Sequence, residues 1–282
     1  MPKYLKPRPI VIIGAPRSGT NMLRDVLAKL RGVGTWPCDE INYIWRHGNV
    51  RYPSDEFTAK MATPAVQRFV HKEFDKLARR NGYEFVVEKT CANSLRVGFV
   101  NKILPDALYI EIVRDGIDVV ASARKRWSAS LDLTYILKKA RYVPFTDLPY
   151  YAARYFINRI HRLTSAENRL AIWGPKLDSM DDIIFGRTLE EICAIQWRRC
   201  IEKAEREFSG VAPEKICRIQ YEDFVRQPDD ALRDICRFLG MQVSDGEIEL
   251  AVKGVSPKSI GKGYEELGPS LVRQIAPFLA RV

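Results

Sequence analysis

The sequence predicts an α/β fold: a P-loop-like, mostly parallel sheet with helices on both faces and a helical insertion. Two observations carry that prediction. Short apolar runs rich in β-branched residues alternate with segments of helical periodicity, the pattern of strands joined by helical crossovers. The first run, Ile10-Val11-Ile12-Ile13, passes directly into a glycine-punctuated turn, Gly14-Ala15-Pro16-Arg17-Ser18-Gly19-Thr20-Asn21, and then into Met22, Leu23, Val26, Leu27 and Leu30 at helical spacing. Strand, tight loop and helix together aim backbone N–H groups and a helix N-terminus at an anion.

The elements follow in order. Residues 10–31 form the first strand and helix. Residues 32–64 are mostly loop, broken by Gly32, Gly34, Pro37, Gly48, Pro53 and Pro64. A helix covers 65–80, and Phe85-Val86-Val87 is a short strand entering Glu88-Lys89. Leu95 to Ile103 is helical. After the turn at Pro105-Asp106, residues 107–113 make another strand that ends in Arg114-Asp115-Gly116, and a helix runs on to Trp127. Residues 128–188 depart from the compact pattern. They are rich in arginine and aromatics and are broken by Pro144, Pro149 and Pro175. This stretch reads either as a helical insertion covering an acceptor site or as an ordinary packing subdomain. A long helix follows from Leu189 to Phe208, then a last strand at Ile216–Tyr221 and a helix at Ala231–Leu239.

At 282 residues and 46% hydrophobic, the chain can bury the core of one domain spanning 1–282, with the insertion at 128–188. Lys and Arg total 45 against 35 Asp and Glu, a formal charge of +10. That excess suits a polyanionic ligand. Nucleic acid is not expected, because the chain has no helix-turn-helix pattern, no zinc spacing and no basic run. The three histidines are scattered and no C-x-x-C occurs, so no metal site is expected. Cys193 and Cys200, seven apart in a helical pattern, are expected to pack in a core. The first strand begins within ten residues of Met1, which leaves no room for a signal peptide. We therefore expect a cytoplasmic chain with reduced thiols and no transmembrane segment.

The loop chemistry narrows the ligand. Gly14 and Gly19 have the separation of a nucleoside-triphosphate loop, but Thr20 and Asn21 stand where that motif has its Lys and its Mg²⁺-binding hydroxyl. Magnesium-bound ATP is thus disfavoured. Arg17 adds a charge and a planar fork of donors; Ser18 and Thr20 add hydroxyls. Arg114 lies at a strand end, where open α/β sheets bind ligands. Ser122 and Arg126, four apart, share one helix face. The plainer reading pairs Arg114 with Asp115 or Asp118 in a salt bridge.

With these residues in view, the chain resembles the sulfotransferases that use 3′-phosphoadenosine 5′-phosphosulfate (PAPS). Residues 14–20 resemble their 5′-phosphosulfate loop, and Arg114 to Ser122 their 3′-phosphate motif. Tyr221-Glu222-Asp223-Phe224 resembles their late strand-to-helix segment, and Ser259-Ile260-Gly261-Lys262 their C-terminal loop. The motifs run in the family's order from residue 10 to about 267, and the tyrosylprotein branch is the most similar, sharing the segment Glu88-Lys89-Thr90. The resemblance implies PAPS as donor and a hydroxyl acceptor on a sugar, lipid, metabolite or tyrosine. It assigns Arg17, Ser18, Gly19, Thr20, Asn21, Arg114, Ser122, Arg126, Tyr221 and Lys262 to the nucleotide. It assigns catalysis to Arg17, to Lys89, and to a base at Glu40 or its neighbour Asp39, of which Glu40 is favoured. The alternatives are that Asp39 and Glu40 only open a turn before Ile41, and that Lys89 pairs with Glu88. Asn21 replaces the family's second Thr. Gly263 replaces its Trp, which leaves Tyr264 as the aromatic to pack over the nucleotide. A P-loop kinase or ATPase and a non-catalytic polyanion binder are the competing readings.

Overall fold

The computed structural model describes residues 6–127, 141–153 and 173–280. Among these, β1 (Arg8–Ile13), β2 (Val33–Gly34), β3 (Phe85–Lys89), β4 (Leu108–Val113) and β5 (Ile216–Gln220) form one sheet in the order β2-β3-β1-β4-β5. Every pairing is parallel, with Ile10 opposite Val87 on one side and Leu108 on the other. Central parallel strands are covered on both faces and read as continuous apolar runs. Residues 10–13 fit this, all at 0% exposure.

The pleat divides β1 between two cores. Ile10 and Ile12 pack with α1 (Thr20–Leu27) on one face, together with two later helices, 228–239 and 245–252. Val11 and Ile13 pack on the other face with α2 (Asn42–Arg46), α3 (Pro64–Asn81) and α4 (Val97–Ile103). A third core joins α5 (Gly116–Trp127), α6 (Met180–Ile184) and α7 (Leu189–Phe208) beyond the C-terminal edge of the sheet. The chain closes with α8 (Tyr221–Arg226), α9 (Pro228–Leu239), α10 (Asp245–Val252) and α11 (Lys262–Leu279). α11 is kinked at Gly268, whose φ of 72° precedes Pro269. Cys193 and Cys200 are buried on the core face of α7.

The structure differs from the sequence reading in detail. The loop over 32–64 contains β2, the edge strand, and α2. Tyr221 opens a helix rather than ending a strand. α10 and α11 extend the helical layer past Leu239. Parts of the expected insertion, 128–140 and 154–172, lie outside the described residues. Its remainder docks on the core: Asp55 exchanges two hydrogen bonds with Lys176, at 2.7 and 2.8 Å, and Leu177 and Met180 are buried. No helix of the described residues is long and apolar enough to cross a membrane.

The strand order places a switch point at β1 and β4. The chain leaves β1 toward β2 and leaves β4 toward β5, so the loops after these two strands diverge and open a crevice between them.

Candidate active site

A cleft of about 900 Å³ occupies that crevice. Its floor is the loop after β1. Arg17 has φ 71° and Gly19 φ 87°. Left-handed backbone costs a non-glycine residue about 1 kcal/mol. Here it curls the loop back on itself, and the Ser18 N–H donates to the Ala15 carbonyl at 3.2 Å. Both glycines are required by close approach. A Cβ at Gly14 would lie 2.7 Å from the Ile112 carbonyl oxygen, and one at Gly19 only 2.4 Å from the Tyr221 ring. Arg17 reaches across to α5, where its Nε donates to Ser122 Oγ at 2.9 Å. Its pKa is held below the ordinary arginine value by burial, then by the nearby charges of Arg126 and Arg114.

Arg114 leaves the end of β4 and is nearly buried. Its guanidinium lies 4.3 Å from the centre of the Tyr221 ring, donates to the Arg17 carbonyl at 3.3 Å and to the Ser259 carbonyl at 2.8 Å, and meets Asp118 at 3.4 Å. Tyr221 Oη and Ser259 Oγ are 2.6 Å apart. Asp118 also ties down the start of α11, accepting from Gly261 N at 2.9 Å and Gly263 N at 2.7 Å. The loop after β1, the end of β4 and the start of α11 therefore form one hydrogen-bonded unit.

The opposite wall carries an ion pair. Lys89 ends β3 with a side chain only 2% exposed, and its Nζ donates to Glu40 Oε1 at 3.0 Å. The backbone N–H of Cys91 donates to the same oxygen at 3.3 Å. Burial alone would lower the Lys89 pKa. Glu40 reverses this, helped by Asp39, and holds it above the ordinary lysine value. Glu40 is a quarter exposed and lines the cleft, as does Asp39. Lys89 thus pairs with Glu40, not with Glu88.

Charge decides what the cleft can hold. Arg17, Lys89, Arg114, Lys125, Arg126 and Lys262 line it. Three of these are paired: Lys89 with Glu40, Arg114 with Asp118, and Lys125 with Glu266 at 2.7 Å. Arg17, Arg126 and Lys262 have no acidic partner among the described residues. Three cations without an acidic partner among the described residues give the crevice a positive potential that favours an anion. The Arg114 Nε, buried without a hydrogen-bond partner among the described residues, is a further donor.

The structure brings Arg17, Gly19, Thr20, Asn21, Glu40, Lys89, Arg114, Ser122, Arg126, Tyr221 and Lys262 around this one cleft. Ser18 is the exception. It is wholly buried behind the loop, its hydroxyl lacks a partner among the described residues, and its N–H is bonded to the Ala15 carbonyl. Tyr264 is also displaced. It is absent from the cleft wall, and its hydroxyl donates to Asp115. No aromatic side chain can replace Gly263, because a Cβ there would sit 2.6 Å from the Asp118 Cα and the Ile117 carbonyl oxygen. Sequence reading missed Trp173, which lines the cleft, and the bracing role of Asp118. The signal for Asp118 was its position four residues after Arg114, one helical turn on.

Comparison with known proteins bears on the fold and the family. Chains of similar fold include a sulfotransferase from Alicyclobacillus acidocaldarius (15% identity, 98% of this chain and 93% of that one, TM-score 0.50). A second is sulfotransferase STF1 from Mycobacterium tuberculosis (13%, 94% and 77%, TM-score 0.51). A third is mouse sulfotransferase SULT7A1, solved with PAP (12%, 96% and 82%, TM-score 0.50). No curated protein matches the sequence. The family model described as the sulfotransferase family matches residues 9–172 and 160–245, most of the chain. By that match, this chain belongs to the sulfotransferase family and is an enzyme of sulfuryl transfer.

Proposed function

We propose that the donor is PAPS and that the chain transfers its sulfuryl group to a hydroxyl acceptor by in-line displacement. The observation that carries this reading is that two arginines, Arg17 after β1 and Arg114 after β4, line one cleft and face the Glu40–Lys89 pair. A nucleotide bearing phosphates at both the 3′ and 5′ positions has the chemistry to engage two such sites. Mouse SULT7A1, similar in fold, was solved with PAP.

PAPS, when bound, supplies the sulfuryl group and a phosphate leaving group. The residues of the chain supply the rest. Arg17 and the loop amides hold and neutralise the 5′ end. Arg114, Ser122 and Arg126 hold the 3′-phosphate, and Lys262 closes on the phosphosulfate from the start of α11. Glu40 takes the acceptor's proton as its oxygen attacks, and Lys89 stabilises charge on the transferring group. The loop has Thr20 and Asn21 where a magnesium-binding loop has Lys and a hydroxyl ligand, so the reading includes no metal. The chain is proposed to work as one domain, with the described part of the 128–188 insertion bringing Trp173 to the cleft.

A thermal-shift titration tests the donor assignment. Adenosine 3′,5′-bisphosphate is expected to raise Tm well above the shift given by 5′-AMP. Arg114→Ala is expected to remove most of that difference, since a charge-assisted hydrogen bond contributes roughly 1.5–3 kcal/mol. Equal shifts from the two nucleotides in the wild-type protein would overturn the 3′-phosphate site. A labelled-sulfate screen over phenol, sugar and alkyl alcohol acceptors then identifies the hydroxyl class.

A further inference from the structure

The segment carrying Glu40 is fastened to the end of β3 residue by residue. Glu40 Oε1 meets Lys89 Nζ and the Cys91 N–H. The next N–H, that of Ile41, donates to Thr90 Oγ1 at 3.2 Å. The side chain of Asn42 accepts from Arg96 Nη2 at 2.6 Å. Thr90 is fully buried and is not part of the cleft wall. Its hydroxyl proton is already committed, because Oγ1 donates to Glu88 Oε1 at 2.6 Å. The other Glu88 oxygen accepts from Asn93 Nδ2 at 2.8 Å.

A hydroxyl has one proton and two lone pairs. The Ile41 N–H can only donate; with the hydroxyl proton turned toward Glu88, Thr90 Oγ1 is left presenting its lone pairs to that N–H. The peptide at Ile41 is attached directly to Glu40, so its placement fixes where the Glu40 carboxylate begins. A base must lie within hydrogen-bond reach of the proton it takes, and a displacement of about 1 Å can cost on the order of a hundredfold in rate. We propose that Thr90, oriented by Glu88, is a positioning residue that anchors the backbone at Ile41 and so holds Glu40 against Lys89 at the cleft. This rests on the reading of Glu40 as the base.

Thr90→Val keeps the β-branch and deletes the oxygen; Thr90→Ser keeps the oxygen. In the free protein, exchange of the Ile41 amide is expected to quicken about tenfold in Thr90→Val and to return in Thr90→Ser. With 4-nitrophenol as probe acceptor and labelled PAPS, kcat is expected to fall about tenfold in Thr90→Val. Affinity for adenosine 3′,5′-bisphosphate is expected to stay unchanged. In a Glu40→Gln background the Thr90→Val loss is expected to vanish, because the residue acts through Glu40. Should Thr90→Val not fold, Glu88→Gln, which disturbs the acceptor of the Thr90 proton, is read against Glu40→Gln in the same way. Unaltered Ile41 exchange, or a loss of equal size in the Glu40→Gln background, overturns the proposal while leaving the base intact. Full activity in Glu40→Gln alone overturns the base reading itself.

Discussion

Glu40 and Lys89 share one contact of 3.0 Å yet are expected to fail differently. Glu40→Gln keeps shape and hydrogen bonding but cannot accept a proton. Turnover should drop by about 10²–10⁴-fold with donor affinity near wild type, and the acid limb of the pH–rate profile should disappear. Lys89→Met removes a buried charge, so it should cut turnover and also weaken binding of the sulfated donor more than of the bisphosphate. Single-turnover rates and nucleotide titrations separate the two. An active Glu40→Gln beside a dead Asp39→Asn moves the base by one residue, since both carboxylates line the cleft. At this scale the strand-end residues were legible in the sequence. A parallel sheet delivers Arg17, Lys89 and Arg114 to one edge, because every strand ends there. The burial of the Ser18 side chain was not legible, because periodicity does not say which loop side chains turn inward. Asp118 was undervalued, because its partners Gly261 and Gly263 lie over 140 residues further on.

Among the elements, α11 braces the Arg114 side of the cleft from outside the sheet. Gly263 lies so close to α5 that an added Cβ meets backbone at 2.6 Å, and backbone cannot rotate out of the way. Gly263→Ala is therefore expected to push α11 off Asp118, lower Tm, and reduce bisphosphate affinity about tenfold through the Asp118–Arg114 pair. Gly246→Ala on α10 is the control: its Cβ would meet nothing within 4 Å. There a Gly-to-Ala change should leave affinity unchanged and shift stability by no more than about 1 kcal/mol, upward if at all. Loss of affinity in both variants, or in neither, rejects this role for Gly263. Long periodic elements such as α3 and α7 were readable because one apolar face repeats along them. β2 was not, since two residues carry no period. α10 had a signal that went unread, the capping box of Ser244 and Glu247. α11 was masked by Gly263, Gly268, Pro269 and Pro277, which argue against a helix in sequence but in the fold mark a tight contact, a kink and its continuation.

Across the whole molecule, buried carboxyls pull the pH dependence of stability in opposite directions. Asp55 lies between Arg46 at 2.7 Å and Arg96 at 3.5 Å. Burial would raise its pKa, but the two arginines outweigh burial and hold it below the usual range. Glu56 is likewise held low: burial opposes this, and Lys203, at 2.6 Å, leads the groups that overcome it. These two contribute stability that is present above the ordinary carboxyl pKa and lost as pH falls toward their depressed values. Glu88 is the reverse case. Burial pushes its carboxyl up to about 7, against the pull of its hydrogen-bond donors and of Lys89 and Arg96. Between the ordinary glutamate value and about 7, the unfolded chain has released this proton while the folded chain retains it. Stability is then expected to fall as pH rises through that window, by roughly 3 kcal/mol in all, and to level off above it. Glu88→Gln removes the titration. Its absolute stability should drop, because the amide puts an NH2 group in place of one of the two oxygens that accept from Thr90 and Asn93. Its stability between pH 5 and 7 should nevertheless decline less steeply than that of the wild type. Urea unfolding at pH 5, 6 and 7 measures both slopes, and every other titrating group cancels in their difference. Parallel slopes would show that Glu88 ionises normally despite full burial, with its negative charge balanced by Arg96 and Lys89. A flatter slope in the variant means that a carboxyl costly to ionise is kept beneath the cleft, where its oxygens accept from Thr90 and Asn93.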